Sequence, residues 1–302
     1  MTDFRALVTG ATGFLGYYVA AALDRRGLPF VGVARHPSGG SDRHRTLDLG
    51  DEAQLLALLD EVAPTHVLHL AGSLRKPGLS AADLIHANVT LTEQLLAALA
   101  KRDLRPVVVI PGSAAVYGRP RSLPIDEEHP VAPLDLYGSS KASQELIATT
   151  HHRARQLPLR ILRIFNIVGP RQPTALVASH IAKRIVAIER GASPVIEVGD
   201  LSSRRDLIDV RDVARAVVDA ALLESEFELL NICSGRSTAM DACVEVMREA
   251  ARCDFELRMQ TDRIRANDVR DHRGDTTRLQ QVLGFEPSVG IAASMRDLLE
   301  YW

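Results

Sequence analysis

Cysteine is scarce in this 302-residue chain: Cys233, Cys243 and Cys253 are the only three. They make no CxxC pair and are too few for a disulfide framework, which fits a reducing, cytoplasmic setting. No histidine stands at ligand spacing beside them, so they read as buried or half-buried thiols and no metal is expected. Long apolar runs are also missing, since nothing approaches the roughly 18 consecutive apolar residues of a membrane-spanning helix. Residues 1–5 lead into a strand-like run without a signal-peptide pattern. Neither sign of charge dominates: 36 Lys+Arg against 38 Asp+Glu leave a formal net charge of −2. Without a basic tract, nucleic acid and anionic membrane are poor partners, and any ligand has to be recognised by a local site. Internal repeats are absent, and the cluster Ser38-Gly39-Gly40-Ser41 reads as a loop.

What is present is ordinary globular material, 46% hydrophobic and 25% charged, enough for a sizeable core. The length suits one large domain or two intimate ones. Up to residue 165, short apolar runs at 6–9, 30–33, 45–47, 66–70, 107–110 and 159–164 alternate with amphipathic stretches near 13–26, 51–62, 80–100 and 136–156. That alternation predicts an α/β fold, a Rossmann-type doubly wound parallel sheet with helices on both faces. Beyond residue 165 the rhythm breaks into Gly-, Pro-, Arg- and Asp-rich loops, 169–173 and 199–206. Helices are expected there near 177–190, 213–223, 239–252, 276–283 and 291–301, with strands at 195–198 and 228–232. The expected division is a dinucleotide-binding domain of residues 1–165 plus about 206–233. A smaller, C-terminal substrate-binding lobe takes 166–205 and 234–302.

The sharpest local feature is Thr9-Gly10-Ala11-Thr12-Gly13-Phe14-Leu15-Gly16, between the first strand and the first helix. Glycines at 10, 13 and 16 let the backbone turn, approach a pyrophosphate and pack helix on strand, while the helix N-terminus offers free N–H groups. A purely structural glycine turn is the alternative. Gly10, Thr12, Gly13, Phe14, Leu15 and Gly16 are therefore candidate cofactor contacts, joined by Leu70, Ala71 and Gly72 at the end of the fourth strand. The second strand ends in Arg35-His36 with no acid. An acid there would bond a ribose 2′-hydroxyl and a cation a 2′-phosphate, so Arg35 points to NADP(H), with NAD(H) as the alternative. Asp48 and Leu49 follow the third strand, where a carboxylate can accept the adenine amino group or simply cap the next helix.

Tyr137 and Lys141 stand four apart at the start of a helix, on one face and within reach of one ligand. An ammonium nearby favours phenolate, which predicts that Lys141 lowers the Tyr137 pKa and makes it a usable acid/base. Ser113, expected just after the fifth strand, would lie at the carboxyl edge where ligands bind in such sheets.

Together these residues resemble the extended short-chain dehydrogenase/reductase, or NAD-dependent epimerase/dehydratase, proteins that modify nucleotide sugars. The resemblance is carried by the glycine turn 9–16, His69-Leu70-Ala71-Gly72, Asn88, residues 112–118, the YxxxK stretch 137–141, and the stretches 163–170, 205–212 and 265–268. It implies a hydride-transfer triad of Ser113, Tyr137 and Lys141, with Asn166, Arg205 and Arg265 gripping a nucleotide diphosphate. Arginine forks suit that group; ion pairing with nearby aspartates is the alternative for Arg205 and Arg265, and Arg204 competes for the inward place.

Related 4,6-dehydratases carry an acid directly after the catalytic Ser/Thr, where this chain has Ala114 and Ala115, so that reaction is disfavoured. A 4-keto reductase and a 4-epimerase are left, and the second half is most similar to GDP-4-keto-6-deoxy-D-mannose reductases. The expected partner is a nucleotide-diphosphate sugar, and the family resemblance implies a homodimer. A non-catalytic dinucleotide-binding protein on the same fold is the reading from another class.

Overall fold

The computed structural model describes residues 4–35, 43–74, 78–260 and 269–302. Residues 1–3, His36, the glycine-serine loop 38–41 and Arg265 with its neighbours 266–268 lie outside the described residues. The first half runs β1 (Ala6–Thr9), α1 (Phe14–Arg25), β2 (Phe30–Ala34), β3 (His44–Thr46), α2 (Glu52–Val62) and β4 (His66–His69). It continues through α3 (Ala81–Ile85), a π-helical turn (His86–Thr90), α4 (Leu91–Lys101), β5 (Val107–Ser113), a 3₁₀ turn (Ala114–Tyr117), α5 (Leu136–Arg155) and β6 (Leu159–Ile164). The second half contains β7 (Asn166–Val168), α6 (Val177–Glu189), β8 (Val195–Val198), β9 (Arg204–Asp209), α7 (Val210–Ala221), β10 (Phe227–Ile232) and β11 (Ser237–Ala239). It closes with α8 (Met240–Ala250), β12 (Glu256–Met259), β13 (Asp271–His272), α9 (Thr277–Leu283) and α10 (Ile291–Tyr301).

Seven parallel strands form the large sheet in the order β10-β6-β5-β4-β1-β2-β3. The order reverses between β1 and β4, which opens a crevice at the carboxyl ends of those strands. Both faces are covered, so the strands are apolar almost throughout. Val8, Val109 and Leu230 meet Val19, Leu23, Val213 and Val217 from α1 and α7 on one face. On the other face Leu7, Val67 and Ile110 meet Leu55, Leu59, Leu95 and Leu99 from α2 and α4. The lobe has its own core, where Ile181 and Ile185 of α6 meet Val244 and Met247 of α8 and Met295 and Leu298 of α10.

Several elements differ from expectation. Six strands were counted to residue 165; β10 adds the seventh by pairing with β6 from Phe227↔Leu159 to Ile232↔Ile164. Within 206–233, β10 joins the large sheet and α7 packs on it, while Asp206–Asp209 belong to β9, whose Ile208 packs in the same core. The loop expected at 199–206 ends in that strand, which pairs with β7, β11 and β13. The helix expected over 80–100 is interrupted by the π turn, which carries the fully buried Asn88. β5 does not stop before Pro111 and Gly112, because pairing with β6 continues to Ser113↔Ile164, so Ser113 ends the strand rather than following it. Among the described residues no helix is long and apolar enough to cross a membrane. Cys233 and Cys243 are buried, and burial pushes both thiols up, Cys243 to about 11.

Candidate active site

The glycine turn closes on β4. Gly10 has φ +67°, and a Cβ there would stand 2.7 Å from the Ala71 nitrogen, so the turn can press on Leu70 and Ala71 only without a side chain. Ala71 N–H donates to Thr9 Oγ1 at 3.1 Å, tying the two strand ends together. At the N-cap of α1, Gly13 supplies no side-chain cap, and no acid occupies the first turn. The N–H groups there are open to an anion, as a dinucleotide pyrophosphate requires. Thr12 and Gly13 are exposed at the turn, Gly16 is buried, and Leu15 leans on the core. Phe14 meets Tyr18 edge-on at 6.2 Å.

Arg35 is exposed immediately after β2. Asp48 is exposed after β3, and one of its oxygens accepts Gly50 N–H at 2.9 Å. The Leu49 side chain is spent in the core among Leu55 and Leu95, so only its backbone can serve a ligand. Gly72 sits in a crowded place, where a Cβ would meet Asn88 Oδ1 at 2.9 Å. That oxygen accepts Ser73 N–H at 2.8 Å, while Asn88 Nδ2 donates to Ser140 Oγ at 2.9 Å.

The catalytic candidates converge. Asp135 caps α5 by accepting Gly138 N–H at 2.8 Å, which fixes Tyr137 in the first turn and Lys141 one turn later. A Cβ on Gly138 would stand 2.7 Å from the Ala115 carbonyl oxygen, so this glycine lets α5 press against the 3₁₀ turn behind Ser113. Ser113 lies beside Tyr137. Burial raises the Tyr137 pKa, the Ser113 side chain draws it down, and the Asp135 charge raises it. The expectation that Lys141 lowers it is thus corrected: desolvation of the phenolate dominates, and the Lys141 ammonium is turned to Gln144 and does not contribute. Burial lowers Lys141 to about 8, with the Glu145 carboxylate opposing.

Beneath the site lies a buried polar layer that sequence reasoning missed. Lys141 Nζ donates to Gln144 Oε1 at 2.6 Å, and Gln144 Nε2 donates to Thr92 Oγ1 at 2.8 Å. His69 bridges Thr92 and Thr9 at 3.0 and 2.9 Å, and burial followed by the Lys141 charge lowers its pKa to about 3, so the ring is neutral. Glu145, whose carboxyl burial raises, pairs with Arg163 at 2.9 Å, and Gly112 makes room for it. The signal available was a break in pattern: Gln144 and Glu145 are polar at three and four residues from Lys141, on the face that packs inward.

Of the three substrate candidates, Asn166 is exposed at the start of β7, in register with Leu207 of β9. Arg205 is half-buried and donates to the Val269 and Arg204 carbonyl oxygens at 2.6 and 2.8 Å. Arg204 is exposed and donates to Ser237, so Arg205 is the inward member of the pair. Beside it, burial and then the Arg205 charge lower His272 to about 4. Ala114 is buried and Ala115 follows it, so no carboxyl group flanks Ser113 there.

A glycine cradle, a Ser/Tyr/Lys cluster and a parallel sheet with reversed strand order define a dinucleotide-dependent α/β enzyme class. The chain belongs to the NAD dependent epimerase/dehydratase family, whose model matches residues 6–233. It is 29% identical to the GDP-6-deoxy-D-mannose reductase of Pseudomonas aeruginosa, over 99% of this chain and 97% of that one. Its identity to a UDP-glucose 4-epimerase of Mycolicibacterium smegmatis is 28%, over 99% and 98%. Among solved structures, that of RMD from Pseudomonas aeruginosa complexed with NADPH superposes with a TM-score of 0.87 at 28% identity, covering 99% and 97%.

Proposed function

We propose that this protein reduces the C4 ketone of a nucleotide-diphospho-4-keto-6-deoxy sugar with NADPH. The observation that carries the reading is that Ser113, at the carboxyl end of β5, lies beside Tyr137, with Lys141 one turn further along α5 and only alanines following Ser113. Tyr137, held as a phenol, gives its proton to the sugar oxygen, and Ser113 holds that oxygen in place. Lys141 binds the nicotinamide ribose and offers positive charge to the phenolate as it forms. The nicotinamide, when bound, supplies the hydride. Arg35 takes the 2′-phosphate, and the open first turn of α1 takes the pyrophosphate, with Asp48 on the adenine side. Asn166, Arg205 and Arg265 grip the substrate diphosphate from the lobe.

The resemblance to a GDP-6-deoxy-D-mannose reductase and to an NADPH complex supports this direction of reaction. A 4-epimerase is the second reading, favoured by the comparable identity to a UDP-glucose 4-epimerase. Incubation with NADPH and a GDP- or dTDP-4-keto-6-deoxyhexose separates the two. The reductase consumes one NADPH per sugar reduced, whereas interconversion of a 4-hydroxy epimer pair without net cofactor change establishes the epimerase. A homodimer through a bundle of the helices near 80–100 and 136–156 is proposed as well, since Ile85, Leu136 and Leu146 are exposed there; light scattering giving a monomer at micromolar concentration refutes it.

A further inference from the structure

Gln144 is fully buried three residues after Lys141, at a position where a helix packed on a sheet normally carries an apolar side chain. A buried amide is costly unless every polar atom is paired, and here both ends are. The ammonium can only donate, so Gln144 Oε1 must be the acceptor of the 2.6 Å contact, which turns Nε2 toward Thr92. The Thr92 hydroxyl donates to the Asn88 carbonyl oxygen at 2.9 Å, so His69 Nε2 carries the proton and donates to Thr92. His69 Nδ1 then accepts from Thr9, whose oxygen accepts Ala71 N–H. Every direction in the chain is thereby fixed, from Lys141 to the strand that enters the glycine turn.

We propose that Gln144 is the positioning residue for Lys141, taking one of its three N–H donors so that the other two remain for the cofactor ribose. The inference deepens the reading of Lys141 given above and rests on it. Gln144 acts from below, with no contact to substrate, and its neighbours settle the orientation of its amide. The charged and titratable groups facing Lys141 are Glu145 on α5, His69 on β4, and Arg163 of β6 through its ion pair with Glu145, while Tyr137 stands one turn before it on α5. His69 is neutral, and Glu145 is shared with Arg163. The carbonyl of Gln144 is the hydrogen-bond acceptor that Lys141 has in this layer.

The test is competitive acetylation of the cofactor-free protein with a trace of acetic anhydride across pH, followed lysine by lysine by peptide mass spectrometry. The chain has four lysines, Lys76, Lys101, Lys141 and Lys183, so three serve as internal references. Gln144→Met removes the acceptor and is expected to move the Lys141 titration down by about one pH unit, whereas Gln144→Glu adds a negative charge and moves it up by a similar amount. NADPH affinity, read by fluorescence, is expected to fall about tenfold in Gln144→Met. Opposite shifts at Lys141 with unmoved reference lysines support the proposal. An unmoved Lys141 in the two variants, or in Gln144→Glu alone if Gln144→Met fails to fold, overturns it. The titration needs no substrate. Opposite shifts without any sugar reduction would therefore leave the placement of Lys141 standing while the reductase reading fails.

Discussion

The large sheet and the lobe hold short strands together by different means. In the sheet most of the ladder is flanked by apolar side chains on both faces; all four residues of β1 are buried, as are all six of β6, two of which are Arg160 and Arg163. In the lobe, the strands beside β9 have three residues or fewer, and buried carboxylates take over the fastening. Asp206 accepts from Ser234 N and Oγ at 2.7 and 2.8 Å, from Gly235 N at 2.9 Å and from Gly274 N at 3.2 Å, joining three separate segments. Asp209 caps α7 and accepts Ser294 Oγ of α10 at 2.6 Å. Asp212 accepts Ser288 and Val289 N–H, both at 2.9 Å. The large sheet is fastened chiefly by apolar packing and carries Ser113 at the end of β5; the strands around β9 are fastened by carboxylates and carry Arg205 and Asn166.

Substitutions can separate the two. Tyr137→Phe is expected to have the largest effect, lowering kcat by about 10²–10⁴-fold. NADPH binding, measured by fluorescence titration, is expected to stay unchanged, because on the proposed reading the phenol acts in the chemistry and the glycine turn holds the cofactor. Asp206→Ala leaves three backbone N–H groups without their acceptor and is expected to cost about 3 kcal/mol in denaturant unfolding, with the loss felt first in the lobe. Arg35→Asp removes the cation offered to a 2′-phosphate and is expected to weaken NADPH by about 10–100-fold while improving NADH, leaving stability untouched.

A smaller effect concerns pH. Burial raises the Asp206 carboxyl to about 6, outweighing the hydrogen bonds it accepts from Ser234, Gly274 and Gly235. A proton bound more tightly in the folded state stabilises it below the unfolded pKa of about 4, and that contribution is lost as pH rises through about 6. Thermal melts at pH 5 and pH 7 should therefore show a stability loss on the alkaline side that Asp206→Asn reduces. An unchanged slope would assign the lobe's pH response to other groups.

The same contrast governs what could be read from the residues alone. The glycine turn and the Tyr137–Lys141 spacing were legible because backbone sterics and helical period dictate them. Strands buried on both faces announced themselves as apolar runs. β9, β11 and β13 were not legible, since strands of two to six residues rich in Arg, Ser and Asp have no period to detect. Gln144 and Thr92 escaped notice for a related reason: a polar side chain in a helix reads as solvated until its partners are known. The direction of the Tyr137 shift was misjudged because charge proximity is visible in spacing and desolvation is not.

The proposal that this site delivers one hydride to a sugar ketone is tested most directly with NADPH deuterated at the transferring position. With a nucleotide-diphospho-4-keto-6-deoxyhexose, the account predicts one deuterium at C4 of the product and one NADP⁺ released per sugar. Sugar interconverted without deuterium at C4 and without net NADP⁺ would contradict it.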